Sequence, residues 1–306
     1  MKDPSRTAAV LEEGLDEIGR LEDVLSNWRA DSELSRLNAR AGKGATEVSP
    51  TLFAAVTASM EWARETGGTF DPTVEPLTRR FRTGPANANP APQPPSRLAG
   101  LSAVGWSRVK LDAARRTVIL PAGGGLDMGG IGKGIALDAA ARVLAARGIH
   151  DALLDAGGQL LALGSPPGEM GWTVAAADPA DRARPTYPLI LKDVSLATSG
   201  NSQRPGEIVN PATGRPVEGR YSATALALDA TSADALSKAL FVLGPQRGET
   251  WARRRADLLA LFLEPVGPST DLPRMSGSLS PAPPGHFLFI TASPNRQQRS
   301  LHVEVR

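Results

Sequence analysis

The chain has no cysteine, which excludes disulfides, thiolate metal sites and cysteine nucleophiles. Histidine is nearly absent too: only His150, His286 and His302 occur in 306 residues. Two tyrosines and five tryptophans leave few rings for base stacking, and a formal net charge of +2 without a basic cluster gives no nucleic-acid footprint. No apolar run approaches the roughly 18 residues that span a bilayer. The opening MKDPSRTAAVLEEG lacks the apolar core of a secretory signal. The chain as written therefore reads as cytoplasmic, although one trimmed of its leader would look the same and would be exported. What remains is ordinary globular material. A hydrophobic fraction of 41% suffices for a real core, and the length suits one large or two smaller domains.

Apolar positions Val10, Leu11, Leu15, Ile18, Leu21, Val24, Leu25 and Trp28 recur at helical spacing and predict one long amphipathic helix. Ser32 precedes ELSRLN as an N-cap for a short helix, and Ser49-Pro50 opens another that Gly67-Gly68 closes. Residues 84–95 (GPANANPAPQPP) form a proline-rich loop with no core residue. VKLD and TVIL flank a polar turn and predict a β-hairpin. Strand signals follow at ALLDAGGQLLAL, WTVAAA, YPLILK and SATALALDA, then a helix at TSADALSKALFVLG capped by Thr231 or Ser232, then strands at LLALFLEP and HFLFITAS. Strands and helices cluster instead of alternating strictly, which predicts an α+β fold with largely antiparallel sheets and packed helices.

The most informative segment is Leu126–Asp138, LDMGGIGKGIALD. Gly129, Gly130, Gly132 and Gly134 leave the backbone bare, so amide N–H groups can approach a phosphate, and Lys133 adds a positive charge. From Ile135 the sequence reads as a helix whose positive dipole end faces that loop, with Gly148 just past its end. The segment is neither a Walker loop nor a Rossmann fingerprint, since Lys133 is followed by glycine and no ribose-binding acid lies at the right spacing. Other segments are too polar or too glycine-rich for their place: Asp71 and Thr73 in GGTFDPT, Gly157 and Gly158 interrupting a strand, Thr198 and Ser199 in ATSG, and the Asn210–Gly214 turn. Asp234 falls in the first turn of the last helix, where a carboxylate also suits the helix dipole.

In order and spacing, SNWRADSELSRLN, TGGTFDPTVEPL, LDMGGIGKGIALD, LLDAGGQLLALG, LATSGNSQR, IVNPATGRPV and TSADALSKALFVLG resemble the ApbE-like FAD:protein FMN transferases. The resemblance covers residues 10–245. It implies a T-fold-like architecture in residues 1–250, with residues 251–306 adding C-terminal strands to the same fold around a flexible 266–285 loop. It also implies that FAD and magnesium are bound, and that FMN passes to a Thr or Ser of an acceptor protein while AMP is released. By the same resemblance, Asn38, Asp71, Thr73, Gly130, Lys133, Gly157, Gly158, Thr198 and Ser199 hold the flavin. Asp234, a carbonyl at Gly132 and Ser237 hold the metal. Two departures stand out. Lys238 occupies the position four residues after Asp234, where the family usually places an oxygen ligand, which puts the Mg²⁺ in doubt. Glu207 and Asn210 occupy the positions of the family's histidine and aspartate, and become the catalytic candidates. Two readings follow: a flavin transferase with Glu207 assisting the acceptor hydroxyl, or a catalytically impaired FAD-binding or scaffold homologue.

Overall fold

The computed structural model describes residues 4–79, 97–181, 183–202, 204–265, 275–277, 288–292 and 301–305. The chain divides into two compact units. The first comprises Gly19–Gly132 and Gly206–Val217; the second comprises Met1–Ile18, Lys133–Pro205 and Glu218–Arg306.

The long helix α1 runs Pro4–Leu25, as its apolar spacing predicts. In the first unit it is followed by α2 (Glu33–Asn38), strand β1 (Thr46–Glu47) and α3 (Pro50–Glu65). Both serine caps form: Ser32 Oγ accepts from the Ser35 amide at 3.0 Å, and Ser49 Oγ from the Leu52 amide at 3.1 Å. The Glu33 carboxylate accepts from the Ser49 amide and hydroxyl, each at 2.6 Å, and so ties the two helix starts together. Gly67 and Gly68 take φ of +59° and +79° and stop α3, a conformation that glycine adopts without steric cost. Short helices α4 (Glu75–Thr78) and α5 (Arg97–Ala103) precede the expected hairpin of β2 (Lys110–Asp112) and β3 (Thr117–Ile119), to which β1 adds antiparallel. The unit closes on buried Leu34, Leu37, Leu52, Val56, Phe70, Leu126, Met128 and Ile131.

Helix α6 (Gly132–Ala146) leads into the second unit. Its helical bonds begin at Gly132, three residues earlier than the apolar run suggests, because the Gly132 amide already reaches the Met128 carbonyl at 2.7 Å. Then come β4 (Ala152–Ala156), β5 (Gln159–Leu163), β6 (Trp172–Ala177), β7 (Pro185–Lys192), β8 (Val194–Gly200) and β9 (Ser222–Ala227). Helix α7 (Ala230–Ala252) is followed by β10 (Leu258–Leu263), β11 (Met275–Gly277), β12 (Leu288–Ala292) and β13 (Leu301–Val305). One sheet has the order β11-β10-β9-β8-β5-β4 and is antiparallel throughout; the other, β13-β12-β7-β6, contains one parallel pair, β12 with β7. Leu189, Leu191, Val194, Leu196, Leu226, Leu261 and Ile290 fill the core that both sheets line, while Leu137 of α6 packs with Leu161 and Ala230. The fold is thus α+β with largely antiparallel sheets.

Three local expectations change. Gly157 and Gly158, read as breaking a strand for close backbone approach, are the turn of the β4–β5 hairpin, with φ of +64° and +91° between the paired Ala156 and Gln159. The cap of α7 is Asp229, whose carboxylate accepts from the Ser232 amide at 2.7 Å, so neither Thr231 nor Ser232 caps it. The helical run continues past Gly244 to Ala252 across a kink, where Gly244 (φ 75°, ψ 170°) leaves helical geometry and Pro245 follows it. Residues 84–95 lie outside the described residues. So does the 266–285 stretch, apart from Met275–Gly277, which pairs with β10.

Candidate functional site

In the first unit the glycine segment is held by side chains that grip its backbone. Asn38 bonds Leu126 on both sides: the Leu126 amide donates to Oδ1 at 2.8 Å, and Nδ2 donates to the Leu126 carbonyl at 2.9 Å. Asn27 does the same one step on, donating to the Leu126 carbonyl at 2.8 Å and accepting from the Met128 amide at 2.9 Å. Two carboxamides thus replace the neighbouring strand that this extended backbone lacks. Asp127 completes the brace. Its amide donates to the Pro72 carbonyl at 2.7 Å, its Oδ2 accepts from Thr78 Oγ1 at 2.5 Å, and its Oδ1 accepts from the Gly129 amide at 2.9 Å. Asn27, Thr78 and Asp127 were not singled out from sequence. The adjoining asparagine in SNW and the aspartate inside the glycine motif were the only signals for two of them.

Asp71 and Thr73 form a buried knot nearby in the same unit. Asp71 Oδ1 accepts from the Thr73 amide at 2.8 Å and from its hydroxyl at 2.6 Å, while Oδ2 accepts from the Trp106 amide at 3.1 Å. Thr73 Oγ1 in turn accepts from the Gly105 amide at 2.7 Å. Burial pushes the Asp71 carboxyl above its ordinary value, against these hydrogen bonds, which favour the charged form. Glu207 is half-buried beside Gly206, whose φ is +81°. Asn210 organises its turn. Its side chain accepts from the Ala212 amide at 2.9 Å, its carbonyl accepts from the Thr213 and Gly214 amides, and its own amide donates to the Arg215 carbonyl at 2.8 Å.

The second unit brings Lys133, Gly134, Asp234 and Lys238 together. Asp234, expected in the first turn of the last helix, lies beyond it, because α7 starts at Ala230 and has no acid in its first turn; its side chain is only 1% exposed. Its Oδ2 accepts from the Gly134 amide at 3.2 Å. Its Oδ1 faces two ammonium groups, Lys133 Nζ at 3.4 Å and Lys238 Nζ at 3.5 Å, with those lysine side chains 45% and 20% exposed. The α6–α7 approach that permits this needs glycine: a Cβ at Gly134 would overlap the Ala230 carbonyl oxygen. Asp138, one helical turn beyond, fixes the same junction by accepting from the Ala230 and Thr231 amides at 2.8 and 2.9 Å and from the Thr231 hydroxyl at 2.5 Å. Burial pushes its carboxyl up, again against its hydrogen bonds. Gln159 donates to the Ala230 carbonyl at 2.8 Å. A hydroxyl relay lies behind Asp234: Ser237 Oγ donates to the Asp234 carbonyl at 2.8 Å and pairs with Ser199 Oγ at 2.8 Å, and Thr198 pairs with Thr224 at 2.8 Å. The Gly158 amide donates to Asp155 at 2.7 Å.

The glycine amides are less open than a phosphate cradle requires. Those of Gly129, Gly132 and Gly134 already donate to Asp127, Met128 and Asp234. What the second unit offers an anion is charge: two ammonium groups stand beside one carboxylate. A divalent cation at Asp234 fits poorly. The carboxylate oxygen it would use faces two cations, and the Ser237 hydroxyl is engaged with the Asp234 carbonyl and Ser199. No group of three or more His, Cys, Asp or Glu suited to a metal occurs among the described residues. No helix among them is long and apolar enough to cross a membrane.

A profile of the ApbE family matches residues 3–262. The FAD:protein FMN transferase of Treponema pallidum (strain Nichols) is 32% identical over 281 residues, spanning 84% of this chain and 77% of the relative. That of Escherichia coli (strain K12) is 27% identical over 281 residues, spanning 85% and 78%. Among solved structures, the apo flavinyl transferase ApbE of Pseudomonas stutzeri aligns with a TM-score of 0.74 at 26% identity, covering 88% of this chain and 86% of that one. The ApbE protein of Thermotoga maritima aligns at 0.76 and 28% identity, covering 86% and 88%. With its profile running through nearly all of the described helices and strands, the chain belongs to the ApbE family.

Proposed function

We propose that this chain binds FAD and transfers its FMN moiety to a hydroxyl of an acceptor protein, releasing AMP. The observation that carries the reading is the Lys133–Asp234–Lys238 group, built from two of the segments that resemble the FAD:protein FMN transferases and lying inside the span matched by the family profile. Phosphoryl transfer asks a protein chiefly for positioning and for neutralisation of charge. Lys133 reaches from the exposed start of α6 and offsets the pyrophosphate, while Asp234, itself held by the Gly134 amide, keeps its ammonium in place. In the transfer step the acceptor oxygen bonds to the phosphorus of the FMN half. The bond from that phosphorus to the bridging oxygen breaks, and AMP departs with the bridging oxygen. The proton of the acceptor hydroxyl passes to water. With a glutamate where the resembled family carries histidine, the step runs slowly at neutral pH, because a carboxylate is a weaker base than an imidazole. The resemblance implies a magnesium ion at Asp234, but the residues there suit it poorly, and the neutralisation comes from the lysines.

The test mixes the purified chain with FAD and a threonine-containing peptide. Flavin fluorescence reports binding, chromatography reports AMP, and mass spectrometry reports an FMN adduct on the peptide. Saturable FAD binding with AMP release is the expected result. A chain that binds no FAD and releases no AMP overturns the reading.

A further inference from the structure

We infer that Lys238 is a tethered counter-ion that takes the place of a divalent cation at Asp234, so that flavin binding by this chain needs no added metal. The inference rests on the FAD reading for its second half only; its first half concerns the protein alone. Lys238 lies one helical turn after Asp234 on α7, so the two side chains meet on one face of the helix. Its side chain is four-fifths buried, and its Nζ stands 3.5 Å from the same oxygen that Lys133 approaches at 3.4 Å. An oxygen with two ammonium groups on it is a poor ligand, because a dication arriving there meets repulsion from both and attraction from one carboxylate. The remaining oxygen is taken by the Gly134 amide at 3.2 Å. The nearest hydroxyl on the helix, Ser237, is turned to the Asp234 carbonyl and to Ser199, so it offers no replacement ligand. A lysine in this position supplies its single charge permanently, without the dehydration that magnesium requires.

Manganese(II), which is visible by electron paramagnetic resonance, serves as the metal probe. Wild-type protein is titrated with manganese alone and then with FAD present, and FAD affinity is measured by fluorescence in EDTA and in millimolar magnesium. The same measurements are made on Lys238→Thr and Lys238→Gln, each first checked by circular dichroism and thermal melting. Wild type is expected to leave the free manganese signal unchanged and to bind FAD with affinities that agree within about twofold in the two buffers. In at least one variant, manganese uptake should appear, and magnesium should tighten FAD by about tenfold. Stoichiometric manganese uptake by wild type overturns the inference, as does an FAD affinity that collapses in EDTA. If FAD binds under no condition, the flavin reading fails by itself, and the manganese titration of wild type still decides the role of Lys238. Unchanged behaviour of both folded variants also counts against it, since removing the tethered charge would then have opened nothing.

Discussion

Asp71 in the first unit and Asp234 in the second are both withdrawn from solvent, at 6% and 1% exposure, but their surroundings are opposite. Asp71 is met by neutral donors only: two amides and one hydroxyl. Asp234 is met by one amide and two ammonium groups. Neutral donors hold a carboxylate in place and hold the chain around it, and at Asp71 they offset only part of the cost of burying its charge. The ammonium groups offset the charge of Asp234. The first carboxylate therefore serves the architecture of its unit, whereas the role proposed for the second is to hold ammonium groups for a phosphate. The sequence resemblance gives Asp71 to the flavin and Asp234 to the metal, and their partners in the structure are what separate them.

The sharpest way to break this contrast is to remove each carboxylate. Asp71→Ala strands three buried donors and should cost about 3 kcal/mol or more of stability, measured by urea denaturation. Asp234→Asn keeps the shape of the group and an acceptor for Gly134, and the two partly exposed ammonium groups can turn to water. It should cost only about 1 kcal/mol. Equal losses would mean that Asp234 is as architectural as Asp71.

A second comparison sets charge against position within FAD binding. Lys133→Ala removes a charge-assisted phosphate contact worth about 1.5–3 kcal/mol, so FAD should bind at least about tenfold more weakly. Lys110→Ala, on an exposed position of β2, should leave affinity unchanged. Fluorescence titration distinguishes the two, and similar losses would reduce Lys133 to one surface charge among many.

The pH dependence sharpens the Asp71 side. Burial raises its folded pKa above the ordinary 3.8 of an aspartate, and does the same for Asp138. A raised folded pKa means that the native state holds the proton more tightly than the unfolded chain does. The stability each group contributes is thus complete below pH 3.8 and is lost as pH rises through its raised folded value. Denaturation curves taken from pH 4 upward on wild type and Asp71→Asn should show the wild type losing stability relative to the variant as pH rises, by a difference that levels off near neutrality. A difference of constant size across that range would remove the burial argument.

Most of the fold was legible because its signals are local. Alternating or helical apolar spacing, Ser32 and Ser49 as caps, and glycines at positive φ each carry their meaning within a few residues. The errors were local as well: Gly157-Gly158 looks the same whether a strand is broken or turned back, and pairing with β5 decides which. The cap of α7 was misplaced because Asp229, Thr231 and Ser232 are all capping residues in sequence, and only the backbone geometry chooses among them. In the site, Lys133 and Asp234 were drawn together by family resemblance and are together, and Lys238 joins them by its spacing on α7. The role of Asn27 and Asn38 could not be read from sequence, since what they bond is the Leu126 backbone about a hundred residues away, and any residue presents the same amide and carbonyl. Nor could the commitment of the glycine amides, which depends on where Asp127, Met128 and Asp234 stand.

The smallest expected effect bears most directly on the difference between the two carboxylates. Lys133→Ala and Lys238→Gln should each lower stability by less than about 1 kcal/mol, because partly exposed ion pairs seldom contribute more. Their separations of 3.4 and 3.5 Å are longer than the roughly 2.8 Å of a tight charge-assisted hydrogen bond, so little enthalpy is tied up in holding them. An ammonium held loosely is one that can turn from Asp234 to a phosphate without dismantling the fold. Thermal and urea melts of the two variants check this. A loss of about 3 kcal/mol from either lysine, the size expected for Asp71→Ala, would show that the ammonium groups brace Asp234 as the neutral donors brace Asp71. Small losses combined with weakened FAD binding by Lys133→Ala would separate architecture from binding at the level of single side chains.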